Sequence, residues 1–285
     1  MVKRDTPQLR KLYEDSRTAE VYKNFTFQHC LDELERSIAE AEIEGKIAAL
    51  KEHSCFMMDS EAIHHIDHIE REIRERPVIV DNFLDLPEPE RSATSVPTLP
   101  IPNPTLIPDR LFVSLTPVII IRHPAKTVPS YLRASSQFGA TVFDADFPVE
   151  SSFKWQRMVY DCYKAWFSSR EGGDESLPIV IDGDKLISDP RGQMENLCKR
   201  VGLDPAGIEY TWEVQAPDTQ MQAVFFRTLY ESTSVIQGEK SAKSPVLEDE
   251  VKEWVKEWDE ETARELKRRT ELYLPDYEYL LQRSI

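Results

Sequence analysis

PVIIIRHPAKTVPSYLR, residues 117–133, is the stretch whose reading decides the fold. Pro117–Ile121 is apolar without a break and reads as a buried strand. Arg122 and His123 follow at once, so two cation-capable side chains stand at the strand's carboxyl end. Pro124 disfavours helical geometry at His123, which keeps a helix from starting at the strand end itself. Pro129 deep in a helix would delete a hydrogen bond and clash, at about 3 kcal/mol, yet is harmless in a first turn. The spacing therefore predicts a helix with Thr127 as N-cap and Ser130 in its first turn. There the backbone N–H groups are unpaired and the dipole's positive end points outward. A hydroxyl, free N–H groups and the Arg122 guanidinium make a site for a phosphate or sulfate. On geometry alone the competing reading is equally good: a strand-to-helix loop in which Arg122 pairs with a carboxylate.

Outward from this stretch, residues 7–44 read as helix, with Leu31, Leu34, Ile38 and Ala41 recurring at spacings of three and four before Gly45. IAALK (47–51) reads as a short buried strand, 61–76 as a helix with Ile63, Ile66, Ile69 and Ile73 on one face, and VIVDNF (78–83) as another short strand. Residues 85–108 hold prolines at 87, 89, 97, 100, 102, 104 and 108, which forbids regular helix and predicts an extended internal loop. Residues 150–168 pattern as an aromatic-rich helix and LPIVID (177–182) as a buried strand. DPRGQMENLCKRVGL (189–203) patterns as a helix capped by Asp189 with Pro190 in its first turn. Residues 219–231 read as helix, 238–244 as a basic loop, and a last helix starts near Pro245 with Trp254 and Trp258 on one face.

Short apolar strands alternating with amphipathic helices predict a single α/β domain over 1–285, a mainly parallel sheet flanked by helices with a mostly helical C-terminal part. Ligands of such sheets bind beyond the carboxyl ends of the strands. Lys51-Glu52-His53, Arg122-His123-Pro124 and Asp182-Gly183-Asp184 each stand at such an end, with Asp184 read as a cap.

The formal charge of −16 argues against a nucleic-acid partner, whose phosphates demand an excess of Lys and Arg. It leaves room for one local basic pocket. Cys30, Cys55, Cys162 and Cys198 form no CxxC or Cys/His spacing, so reduced thiols and no metal are expected. His64 and His68 are four apart on the expected helix, and a solvated face is the simpler reading. A charged N-terminus without an apolar core, and no run near the roughly 20 residues of a membrane span, predict a cytoplasmic protein.

Arg122 after an apolar strand, Pro124, Ser130 eight residues after the Arg and Tyr131 beside it resemble the signature of sulfotransferases that use 3′-phosphoadenosine-5′-phosphosulfate (PAPS). That resemblance implies a P-loop NTPase-like fold and a role for Arg122 and Ser130 in holding the nucleotide's 3′-phosphate. LKEHSCFM (50–57) is similar to the family's Lys-x-His segment, which implies His53 as the base toward the acceptor hydroxyl and Lys51 as a stabiliser of charge at the sulfuryl group. IVIDGDKLISDPRGQMENLCKRVGLDP (179–205) resembles the family's later strand and helix, and NPTLIPD (103–109) with the RHP strand resembles the fungal branch, often found in secondary metabolism.

The chain departs from that family before residue 46. Nothing there reads as strand–loop–helix, and the first glycine is Gly45, whereas a phosphate-cradling loop needs glycine and small hydroxylated residues. Two further readings stand beside sulfuryl transfer to a small-molecule acceptor. One is PAPS-independent chemistry on a pathway intermediate. The other is a non-catalytic member whose exposed sheet edge pairs with another chain, which makes a homo-oligomer one expected state.

Overall fold

A computed structural model describes residues 26–66, 69–70, 75–81, 97–170, 178–236 and 244–285. Thr26 opens helix α1 (Phe27–Ile43) by accepting the His29 N–H at 3.1 Å, and Leu31, Glu35 and Ile38 form its buried stripe. Gly45 follows with φ of 69°, a left-handed conformation that costs glycine little. Next come two single turns, α2 (Ser54–Met57) and α3 (Ser60–Ile63), and the short antiparallel pair β1 (His65–Ile66) and β2 (Ile69–Glu70). Of the helix expected over 61–76, the described residues form one turn and the pair β1–β2, and residues 67–68 and 71–74 lie outside the described residues. Isoleucines recurring every third position carry a helical period, but β-branched side chains also suit a pleated pair, and here the pair wins. The expected strand at 47–51 is absent: that segment has no regular structure, with Ile47 73% and Leu50 49% exposed. Of the expected strand over 78–83, residues 78–81 are irregular with Val78 and Val80 exposed, and 82–83 lie outside the described residues.

The chain continues through α4 (Asp109–Ser114), β3 (Val118–Ile121), α5 (Pro124–Ser135), α6 (Phe147–Ser151) and α7 (Lys154–Ser169). Then follow β4 (Ile179–Asp182), α8 (Gly183–Ser188), α9 (Pro190–Val201), α10 (Gln220–Phe225), α11 (Arg227–Glu231), α12 (Leu247–Glu257) and α13 (Glu260–Leu281). The helix expected near Pro245 is thus two helices, α12 and α13, separated at Trp258.

The described residues fall into two compact units. The first takes the described part of Met1–Pro117 with Pro148–Glu150 and Trp155–Leu177. Its core joins Leu111, Phe112 and Val113 of α4 to Trp155, Val159, Tyr160 and Tyr163 of α7. The Phe112 and Tyr163 rings stack at 3.9 Å, and the Tyr163 hydroxyl donates to the Phe112 carbonyl at 2.8 Å. The described end of the proline-rich run is tied down by polar contacts. Asn103 Oδ1 accepts from the Thr105 N–H and hydroxyl at 2.9 and 2.8 Å, while Arg76 donates to the Thr105 carbonyl at 2.6 Å. Prolines withhold their N–H groups, so side chains supply the donors that order this segment.

The second unit takes Val118–Phe147, Ser151–Lys154 and Pro178–Ile285. β3 and β4 pair in parallel, Val118 with Ile179 through Ile121 with Asp182. Among the described residues this sheet has two strands, narrower than the mainly parallel sheet expected. β4 is wholly buried, whereas β3 alternates: Ile119 and Ile121 face inward, Val118 and Ile120 are exposed. Helix α13 packs on both strands, on α5 and on α12, burying Leu266, Tyr273, Tyr277 and Leu280. Each such side chain contributes about 1.5–3 kcal/mol. No described helix is long and apolar enough to cross a membrane.

Candidate functional site

The carboxyl ends of β3 and β4 build a charged cluster in the second unit. Because Ile121 pairs with Asp182, the residues that follow, Arg122 and Gly183, leave the sheet side by side. A Cβ on Gly183 would lie 3.2 Å from the Ile121 carbonyl oxygen and 3.7 Å from Arg122 Cβ, so glycine is what lets the two backbones come this close. Asp182 caps α8, its Oδ1 accepting the Asp184 N–H at 3.1 Å. Asp184 is thereby not the cap the sequence suggested but the partner of two cations. Arg122 Nε donates to its Oδ1 at 2.9 Å, and Lys126 Nζ stands 3.0 Å from its Oδ2. Lys126 and Asp184 are nearly buried, with side chains 14% and 15% exposed, and Arg122 is 38% exposed.

The α5 entry differs from expectation. His123, in extended geometry, is itself the N-cap, with Nδ1 accepting the Ala125 N–H at 3.1 Å, and Pro124 occupies the first helical position. Proline there needs no N–H and carries its φ already set, so the restriction it places on His123 marks the cap and does not delay the helix. Thr127 is consequently inside the helix, Pro129 is a buried interior proline, and Ser130 is exposed in the second turn, not the first. Lys126 and Ser130 are four residues apart and so share a helix face.

Around the cluster, burial holds the His123 imidazole below its ordinary range, with Lys126 adding to this and Asp184 and Glu278 opposing it. The ring meets Tyr277 edge-on at 5.2 Å. Burial, reinforced by Asp182, Asp184 and Glu278, pushes the Tyr277 phenol upward. Burial likewise raises the Asp182 carboxyl, against the Asp184 N–H that lowers it. Beyond Ser130, Tyr131 tilts against Phe147 at 5.1 Å.

In the first unit, Lys51 Nζ lies 2.7 Å from His53 Nε2. A lysine ammonium only donates, so Nε2 is the acceptor and the imidazole is neutral in that contact. His53 precedes α2 with an extended backbone and no capping bond from its side chain, and its ring meets Phe56 edge-on at 5.5 Å. Both residues are exposed. They sit on an irregular segment, not at the end of the strand expected there. The structure thus pairs Lys51 with His53 in one unit and gathers Arg122 and the helix bearing Ser130 in the other.

His64 ends α3 and His65 begins β1, so they do not line one helix face, and His68 lies outside the described residues. None of the four cysteines is in a disulfide, and Cys162 and Cys198 are buried. The sequence pattern gives Lys126 no role of its own, although it stands four residues from both Arg122 and Ser130.

Arg122 just past β3 and Lys126 in the first turn of α5, with the Ser130 hydroxyl one turn further along, place two cations and a hydroxyl beyond the strand ends, where α/β sheets take their ligands. The chain is 27% identical to sulfotransferase ppzF of Metarhizium majus (strain ARSEF 297) and 26% identical to sulfotransferase ppzF of Metarhizium rileyi (strain RCEF 4871). Each match covers 91% of this chain and 76% of the relative. These similarities support a sulfotransferase-like family. No protein-family profile matches the chain, and no solved structure does.

Proposed function

We propose that this protein transfers a sulfuryl group from PAPS to a hydroxyl of a small molecule, in fungal secondary metabolism. The observation that carries the reading is the Arg122 guanidinium at the end of β3, eight residues before Ser130 and within reach of a second cation, in a chain similar to two sulfotransferases. PAPS, when bound, supplies the activated sulfuryl group. Arg122 and Ser130 hold its 3′-phosphate, the guanidinium as a charged donor and the hydroxyl as a neutral one. His53, neutral at Nε2, takes the proton of the acceptor hydroxyl. Lys51, 2.7 Å from that nitrogen, would supply positive charge to the oxygens of the transferring group. Positioning and charge stabilisation carry the rate, and the residues named need no metal.

A melt of the 285-residue chain with and without adenosine 3′,5′-bisphosphate tests the clamp. Ligand at about 100 times its Kd stabilises the native state by about 2.7 kcal/mol, well within resolution. The expected result is a rise in Tm that Arg122→Ala abolishes, followed by PAPS-dependent turnover that His53→Ala removes. A folded protein with no shift at millimolar ligand overturns the reading. It would favour the PAPS-independent alternative, to which one observation already points: the Arg122 side chain is engaged by Asp184.

A further inference from the structure

The Asp184 carboxylate, just past β4, lies between two cations that follow β3, Arg122 and Lys126. Arg122 and Lys126 do not contact the same oxygen of Asp184; each takes one, at 2.9 and 3.0 Å. This is how two cations divide a phosphate or sulfate, whose oxygens offer the same acceptors with more charge. The arrangement is built in by the fold. Parallel register sets Arg122 beside Gly183, and Asp182 holds the Asp184 backbone, so the Asp184 side chain is delivered to the cations.

Charge decides what this does to a ligand. Asp184 holds Arg122 and Lys126, Asp182 feels Lys185 and Lys126 as well as Asp184, and Glu278 acts on His123 beside them. Three carboxylates, Asp182, Asp184 and Glu278, stand against three cations, Arg122, Lys126 and Lys185, so little positive potential is left for an incoming anion. With Asp184 turned out, its two oxygens no longer occupy Arg122 and Lys126, and Lys126 shares a helix face with Ser130.

Resting on the clamp reading above, we infer that Lys126 is a second cation of the anion site. Asp184 is its resident counter-ion, which a phosphate- or sulfate-bearing ligand must displace. Apparent affinity is then reduced by the fraction of molecules in which Asp184 is out: about tenfold if that fraction is about a tenth.

Calorimetric titration of adenosine 3′,5′-bisphosphate into the full chain at fixed salt tests this. Asp184→Asn is expected to tighten binding about tenfold, Lys126→Ala to weaken it, and Asp184→Glu, which keeps the charge, to leave it near the wild-type value. Wild-type binding with no gain in Asp184→Asn overturns the counter-ion while leaving the clamp standing. No binding by any form overturns the clamp and this inference with it. Should Asp184→Asn fail to fold, the Asp184 side-chain carboxyl carbon in the wild-type protein is followed by NMR. A resonance that moves on saturation supports displacement, and one that stays overturns it.

Discussion

At Gly183 the first atom of any side chain would press on a backbone carbonyl 3.2 Å away, and backbone yields less readily than a side chain. Gly183→Ala is therefore expected to destabilise the protein by roughly 1 kcal/mol, read by urea denaturation, and to loosen the Arg122–Asp184 contact that depends on that approach. Residue identities conveyed much of this cluster: Arg122 at a strand end and the carboxylate-paired alternative could both be read from 117–133. What could not be read is which carboxylate, because Asp184 lies 62 positions away along the chain. Pro124 keeps His123 out of helical geometry, which predicts a delayed helix, and the structure instead makes that extended His123 the cap. The rule that proline restrains the preceding residue is the same rule that makes an extended residue before Pro124 a good cap. Once α5 begins at Pro124, Ser130 moves out of the first turn. Pro129 becomes an interior proline whose Ala125 carbonyl forgoes its helical bond, a cost that burial of its ring offsets in part.

Elements with their own punctuation were the legible ones. Asp189 accepts the Gly192 N–H at 3.0 Å, Pro190 is the first residue of α9, and Gly202 ends it at φ of 72°. Each follows from local chemistry alone. Asp189→Ala leaves one first-turn donor without its cap and is expected to cost about 1 kcal/mol, with unchanged dependence on denaturant in a chemical unfolding curve. Segments without such signals misled. IAALK has the composition of a buried strand, but apolar residues make a strand only where a neighbour accepts their backbone groups, and Ile47 and Leu50 are exposed. The 61–76 segment offered helical spacing and β-branched content together, and the pairing of β1 with β2 decided between them.

Across the whole molecule, pH acts through buried ionisable groups. Burial lifts the Glu150 carboxyl from its ordinary 4.5 to about 7. The folded state thus holds that proton more tightly than the unfolded chain does. Its contribution is fully present below about pH 4.5 and is lost as pH rises through about 7. Glu150→Gln is expected to be more stable than the wild type at pH 8, by about 1–3 kcal/mol, and to lose that advantage at pH 4.5, as measured by urea unfolding at both values. His123 acts with the opposite sign: its lowered value means that stability falls as pH drops below 6.5.

By itself the sequence determined the strand ahead of Arg122, the capped helix after Asp189, the absence of long apolar spans and the resemblance that named a function class. The strand, the capped helix and the missing spans rest on neighbours close along the chain, and the resemblance on motif segments spread over residues 50–205. Tertiary structure alone decided that two parallel strands bring Gly183 against Arg122 and that α13 closes over them. It also decided that Asp184 fills the space between Arg122 and Lys126. Those outcomes depend on register and on close approach between distant segments, and a charge finds its partner only after the backbone has placed both.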